Sequence, residues 1–133
     1  MKRPLNPRAH GYIDYLAVAA LLLAPTVFNF SGLPAALCYV LAVVQGGMSL
    51  LTAYPLGAAK VIPFPIHGAI EAVTSVALVI APFLLGFSDV PAARNFFIVG
   101  GIALFLVWLT TNYQAAARPA RMGGVGAQRR IHV

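Results

Sequence analysis

The chain has 133 residues, of which 60% are hydrophobic and 9% are charged, and its mean hydropathy is +0.85. These values exclude an ordinary water-soluble domain, in which about a quarter of the residues carry a charge. The formal net charge is +6, but the basic residues are few and no aromatic residue lies among those at the C-terminus, so we expect no binding to nucleic acid. The single cysteine, Cys38, excludes a disulfide within the chain.

Three long stretches contain no charged residue, namely residues 15–59, 72–88 and 95–117. A membrane-spanning helix needs about 20 mostly apolar residues, so the first stretch accommodates two spans and each of the others one. Proline and glycine mark the turns, and the predicted helices run from Pro7 to Phe28, from Pro34 to Tyr54, from Pro65 to Leu85 and from Pro91 to Ala117. The sequence therefore predicts an all-α fold, a bundle of four transmembrane helices.

Proline residues also indicate where the helices begin and end. The pair Asn6-Pro7 suits the start of the first helix, because Asn caps free amides and Pro is tolerated at the first helical position. Pro25 and Pro82 come late in the first and third helices. Each is expected to kink or end its helix near the far face of the membrane.

The basic residues predict the orientation of the bundle. Eight of the nine fall on the side of the two termini, which the positive-inside rule places in the cytoplasm. We therefore expect a multi-pass protein of the bacterial cytoplasmic membrane. Five aromatic residues near the same face are expected to lie at the membrane interface: Tyr12, Tyr15, Tyr54, Trp108 and Tyr113.

A pattern of residues occurs twice in the chain. Residues 10–14 read His-Gly-Tyr-Ile-Asp, residues 67–71 read His-Gly-Ala-Ile-Glu, and the matched positions are 57 apart. This indicates two repeats, residues 7–57 and 64–117, within a single transmembrane domain, residues 1–117, followed by a basic, glycine-rich cytoplasmic tail, residues 118–133. Because each repeat has two spans, the copies are expected to be parallel and related by a pseudo-twofold axis along the membrane normal.

The repeat contains the candidate functional residues. His10 lies four positions before Asp14 and His67 four before Glu71, so each pair shares a helical face. Ionisable groups inside a membrane are functional candidates. Three interpretations are open: the groups pair only with one another; they bind Zn, Fe or Mn, or a haem or chlorophyll-type tetrapyrrole through the histidines; or they form a proton or cation relay.

Small residues and the tail predict further contacts. Helices in lipid pack closely through small residues, which here are Ala42, Gly46, Gly47, Gly100 and Gly101. Four basic residues of the tail are expected to contact anionic lipid or a partner protein: Arg118, Arg121, Arg129 and Arg130.

The second half of the chain resembles a known family. Residues 81–87 read Ala-Pro-Phe-Leu-Leu-Gly-Phe, residues 92–95 read Ala-Ala-Arg-Asn, and Gly100-Gly101 follow, which resembles the SPW-repeat membrane proteins. That family is built from two-helix units with a Ser-Pro-Trp signature, which here reads Ala-Pro-Phe at residues 81–83 and Ala-Pro-Thr at residues 24–26. The resemblance implies the architecture of a small integral membrane protein and no established reaction.

The sequence contains no nucleophile constellation, phosphate-binding loop or soluble domain. We therefore predict a non-enzymatic accessory or assembly subunit that packs against a larger membrane complex. Its expected partners are the lipid bilayer and other membrane subunits or a second copy of the chain. The alternative function is a bundle that binds a metal or tetrapyrrole, and the third is a small proton or cation transporter.

Overall fold

The computed structural model describes residues 2–116, and in this part of the chain it contains four long helices. They are α1 (Pro7–Val27), α2 (Gly32–Leu50), α3 (Phe64–Leu84) and α4 (Pro91–Thr110), followed by a short 3-10 turn (Tyr113–Ala115). Each of the four is long and apolar enough to span a membrane. The prediction of an all-α, four-helix membrane protein is confirmed. The predicted contacts of Arg118, Arg121, Arg129 and Arg130 lie outside the described residues.

The two hairpin turns at one end of the bundle have the same construction. Beyond α1 the chain reverses through Asn29, whose φ is 54°, and beyond α3 through Gly86, whose φ is 79°. The next amide in each turn bonds back to the helical proline, from Phe30 N to Pro25 O at 3.0 Å in the first turn. This is the Schellman arrangement, which requires a left-handed residue after the helix. The two late prolines therefore mark helix ends, as predicted.

At the opposite end, α2 and α4 stop earlier than predicted. The sequence placed their ends at Tyr54 and Ala117, whereas the structure places them at Leu50 and Thr110. The hydrophobic pattern continues past both ends, but the chain there leaves the helix. The segment after α2 pairs with the one before α3, and the segment after α4 pairs with the one before α1. Leu5 pairs with Thr111, and the corresponding bridge in the other repeat joins residues 52 and 62.

The helices pack chiefly as two hairpins, α1 with α2 and α3 with α4. The hairpins meet at both ends of the bundle. The far end, which contains the hairpin turns, has an apolar core of Ala24, Phe30, Ala35, Cys38, Phe87, Ala93 and Phe97. The site end, where α1 and α3 begin, has a smaller aromatic core of Tyr54, Phe64 and Tyr113.

The small residues of α2 and α4 occupy different environments. A Cβ atom on Gly101 would lie 2.7 Å from the carbonyl oxygen of Ser75, so this glycine permits close approach of α3 and α4. Gly46 faces Val18 of α1, and Ala42 is buried. Cβ atoms on Gly47 and Gly100 would enter open space. The closest helix contact among these residues is therefore at Gly101.

Candidate functional site

The four ionisable residues of the repeat meet in one buried cluster at the site end. His10 and His67 have 0% of their surface exposed, and Asp14 and Glu71 have 1%. The two imidazole ring centres are 5.6 Å apart. Because α1 and α3 enter the bundle side by side at matching depth, residues from both repeats line the same small space. We call these four residues the His/carboxylate cluster.

Each carboxylate in this cluster faces both imidazoles. His10 Nε2 lies 3.2 Å from one oxygen of Asp14 and 3.1 Å from one oxygen of Glu71. His67 Nε2 lies 3.3 Å and 3.1 Å from the other oxygens of the same two residues. The four contacts form a closed ring in which acids and imidazoles alternate. Two of these contacts connect one hairpin with the other.

The opposite ring nitrogens are held by two threonines. His10 Nδ1 lies 2.8 Å from Thr111 Oγ1, and His67 Nδ1 lies 2.7 Å from Thr52 Oγ1. Both hydroxyls donate their own proton to a backbone carbonyl four residues earlier, with O···O distances of 2.6 Å. The hydroxyl oxygens must therefore accept from the imidazoles, so Nδ1 carries a proton in both histidines. In the neutral imidazole this arrangement leaves Nε2 as a free electron-pair donor directed at the cluster.

Three inward-facing atoms of the cluster make no well-oriented hydrogen bond, although the ring nitrogens and carboxylate oxygens lie only 3.1–3.3 Å apart. Among the described residues, five buried side-chain polar atoms make no such bond, and three of them belong to the cluster: His10 Nε2, His67 Nε2 and Glu71 Oε1. A buried polar group without a partner costs free energy, and such groups are rare in folded proteins. Their concentration at one point indicates a ligand position at the centre of the cluster.

Two tyrosines complete the surroundings of the carboxylates. Tyr54 donates a hydrogen bond to Asp14 at 2.8 Å, and Tyr113 donates one to Glu71 at 3.3 Å. The prediction that both tyrosines are interfacial is wrong, because only 2% and 6% of their surfaces are exposed. Burial, with a further contribution from the neighbouring carboxylates, raises the pKa of both hydroxyls above the usual range. Both tyrosines are therefore fixed donors toward the acids.

Aromatic rings close the cluster at the end of the bundle. Phe64 is 1% exposed, and its ring centre lies 5.0 Å from that of His10 and 4.6 Å from that of Tyr113. Gly68 makes room for this layer, since a Cβ atom there would lie 2.5 Å from Cε1 of Tyr113. The rings separate the cluster from the surface. A low dielectric around the four groups strengthens their interactions with any charge among them.

Sequence reasoning identified the two His/carboxylate pairs without deciding whether they face each other, and it missed Thr52, Tyr54, Thr111 and Tyr113 as parts of the site. A signal for them exists, because residues 52–54 read Thr-Ala-Tyr and residues 111–113 read Thr-Asn-Tyr. These segments are 59 positions apart rather than 57, so they do not align when the repeats are compared at a constant offset. Each lies just past a helix end, where it reaches across to the ring nitrogen or carboxylate.

Comparison with known proteins supports the architecture. The family described as SPW repeat domain matches residues 8–111, which include all four helices apart from the first residue of α1. Neither the curated proteins nor the solved structures that were compared with the chain include a match. The family match covers both His/carboxylate pairs and both threonines that contact them.

Proposed function

The chain belongs to the SPW repeat domain family, and we propose that this member binds one divalent transition-metal ion between its two repeats. The ligands are His10, Asp14, His67 and Glu71. The observation that supports this proposal most directly is the convergence of four buried donor atoms, one from each side chain, within 4.8 Å of one another. The proposed function is one of binding, and it requires no enzymatic step.

The size of the cluster suits a metal ion after a small contraction. In a tetrahedral site with metal–ligand bonds of about 2.0–2.1 Å, ligand atoms are roughly 3.3 Å apart. The four N···O contacts of 3.1–3.3 Å involve both oxygens of each carboxylate, so two of them belong to any one set of four donor atoms, and those two match this separation. The largest separations within the set, up to 4.8 Å, require the carboxylates to move inward by roughly 1 Å. Gly11 and Gly68, which follow the two histidines, make room for the side chains of Leu56 and Tyr113 at this level.

Charge and protonation also favour a cation. Metal ligation requires both imidazoles to be neutral, and with the proton of each on Nδ1 the two carboxylates give the cluster a formal charge of −2, which a divalent ion neutralises. An uncompensated charge of this kind inside a membrane protein is costly. Two histidines and two carboxylates form a nitrogen and oxygen ligand set suited to Zn²⁺, Fe²⁺ or Mn²⁺.

The same geometry favours an ion over the other ligands considered for the cluster. A tetrapyrrole bound through His10 and His67 needs a slot for its ring between the imidazoles. Asp14 and Glu71 occupy that space, because each contacts both histidines. A transmembrane relay needs polar groups that continue to the far end, where the described core consists of Ala, Phe and Cys side chains.

Metal titration of the full chain tests the proposal. The protein is extracted in a mild detergent, stripped with a chelator and titrated with Zn²⁺, and with Co²⁺ as a spectroscopic substitute. We expect saturation at about one ion per chain, with visible Co²⁺ bands typical of a low-symmetry, four-coordinate site. The Asp89→Asn variant is the control, because it removes an exposed carboxylate at the far end and is expected to leave the titration unchanged. A protein that takes up no ion would show that the four groups satisfy only one another.

The accessory role predicted from the sequence is a second proposal, supported by the surface of α4. This helix has the highest mean hydropathy of the four, 1.8, and the smallest share buried inside the protein, 17%. Its outward face is therefore available to another membrane protein as well as to lipid. Purification in mild detergent is expected to recover a recurrent partner subunit, and a Val99→Glu substitution on this exposed face is expected to release it. A stable, lone monomer would contradict this role.

The orientation is part of the same proposal. We infer that the site end faces the cytoplasm of a bacterial cell, because four of the five basic residues that the structure describes, Lys2, Arg3, Arg8 and Lys60, lie at that end. The metal would then exchange with the cytoplasm through the aromatic layer around Phe64.

A further inference from the structure

A cavity of about 360 Å³ separates the two hairpins between the cluster and the apolar core of the far end. Along α4 its lining extends from Phe96 to Val107, which corresponds to about 16 Å of helix. All four helices contribute to the lining, and none of the lining residues is ionisable. At the site end the lining includes Ile13 and Ile70, the residues that precede Asp14 and Glu71.

Two polar side chains without partners lie on the α2 side of this region. Gln45 lines the cavity, and its buried Nε2 has no hydrogen-bond partner. Ser49 lies one helical turn closer to the cluster, and its buried Oγ also has none. On α3, Thr74 adds a hydroxyl to the lining. An amide in an otherwise apolar cavity is destabilising unless something accepts its proton, so its presence points to a ligand with an acceptor group.

We propose that this cavity binds a quinone dissolved in the membrane, with one ring carbonyl accepting a hydrogen bond from Gln45 and the tail extending toward Phe96. A quinone combines the three properties that the lining selects: it is uncharged, it accepts hydrogen bonds and it is otherwise apolar. The volume falls within the range of about 300–1,000 Å³ usual for sites of small ligands, which are mostly apolar with a few polar groups. The proposal does not depend on the metal site.

The lining distinguishes a quinone from ordinary membrane lipids. Phospholipids and fatty acids carry a charged headgroup, and no lining residue can neutralise one. A bare hydrocarbon chain matches the apolar walls but leaves the amide of Gln45 without an acceptor. A neutral carbonyl satisfies both the walls and the amide.

Two glycine substitutions test where such a ligand binds. Gly100 lines the cavity, so a leucine there would extend into it. Gly47 lies on an exposed face of α2, so a leucine there would extend outward. A Cβ atom meets no neighbour at either position. Metal-free protein in phosphatidylcholine nanodiscs is dialysed against decyl-benzoquinone, with empty nanodiscs to measure partitioning into lipid. We expect saturable binding of one quinone per chain. Gly100→Leu is expected to weaken it at least tenfold, and Gly47→Leu to leave it unchanged.

A third variant tests the hydrogen bond. Gln45→Leu keeps a side chain of similar size and removes the amide, so the quinone is expected to bind about five- to tenfold more weakly, as for the loss of one hydrogen bond. Thermal unfolding of each variant verifies that it is folded. Uptake that does not exceed that of empty nanodiscs overturns the proposal, as does an unchanged affinity in Gly100→Leu or Gln45→Leu. His10→Ala is expected to lose metal binding but to retain quinone binding, which separates failure of the two proposals.

Discussion

Replacement of Glu71 by glutamine is expected to weaken Zn²⁺ binding on the order of 100-fold or more. The change keeps the size of the side chain, but it removes one of two negative charges and replaces one carboxylate oxygen with an amide nitrogen, which is a donor and not a metal ligand. Loss of a hydrogen bond to a metal ligand typically lowers the metal affinity 10- to 100-fold. Loss of a charged ligand itself should therefore lower the affinity by about 100-fold or more. Competition with a chelator of known affinity measures the change.

Asp14→Asn provides an internal comparison, because the repeat places Asp14 and Glu71 in equivalent positions. Both variants should lose Zn²⁺ affinity by similar factors, whereas Asp89→Asn should bind as tightly as the unmodified chain. In the absence of metal, both cluster variants are expected to stay folded, since each removes one negative charge from a buried, acidic cluster. Equal Zn²⁺ affinity in Glu71→Gln and the unmodified protein would exclude Glu71 as a ligand.

The main features of the fold were predictable because they depend on composition and spacing. The uncharged stretches at residues 15–59, 72–88 and 95–117 indicated four spans, because their lengths suit helices, which satisfy their own backbone hydrogen bonds within a membrane. The 57-residue offset then placed His10 and His67 at equal depth in neighbouring helices. A twofold arrangement allows equivalent residues to approach the same axis, but only the structure shows that the two pairs face each other.

The outer part of the site was not predictable in the same way. Hydropathy extends α2 through Tyr54, but the helix ends at Leu50 and the chain continues through a series of turns, with Thr52 Oγ1 bonded back to Met48 O. That change of direction carries Tyr54 inward to Asp14 rather than outward to the interface. An aromatic residue near a helix end is compatible with either position. Only the tertiary pairing of residues 52 and 62 decides between them.

The position of the site also accounts for its part in the stability of the bundle. Direct contacts between the hairpins are concentrated at the far-end core and at the cluster, and a cavity lies between these regions. Lipid provides little hydrophobic drive for helix association, so polar contacts contribute more of the specificity here than in a water-soluble bundle. Both threonine–histidine bonds connect a helix of one hairpin with the segment that follows a helix of the other. We therefore expect binding of the proposed metal ion and association of the hairpins to be coupled.

Substitution of Thr111 by valine tests this coupling at one hydrogen bond. Valine retains the shape of threonine but cannot accept the Nδ1 proton of His10, so a buried N–H loses its partner. We expect Zn²⁺ affinity to fall 10- to 100-fold and the free energy of unfolding to fall by about 1–3 kcal/mol. The ¹⁵N chemical shifts of the His10 ring are expected to show a mixture of tautomers, because nothing then favours a proton on Nδ1.

The adjacent residue is the matched control. Thr110 also donates its hydroxyl proton to a backbone carbonyl of α4, but its side chain is exposed and does not contact His10. Thr110→Val therefore removes a similar local bond and is expected to leave both the Zn²⁺ affinity and the His10 spectrum unchanged. If both valine variants have the same Zn²⁺ affinity and the same His10 spectrum, the hydroxyl of Thr111 contributes only its hydrogen bond to the end of α4. If Zn²⁺ affinity falls in Thr111→Val but not in Thr110→Val, the hydroxyl of Thr111 orients the imidazole of His10. The same loss in Thr52→Val would assign the equivalent role toward His67 to Thr52.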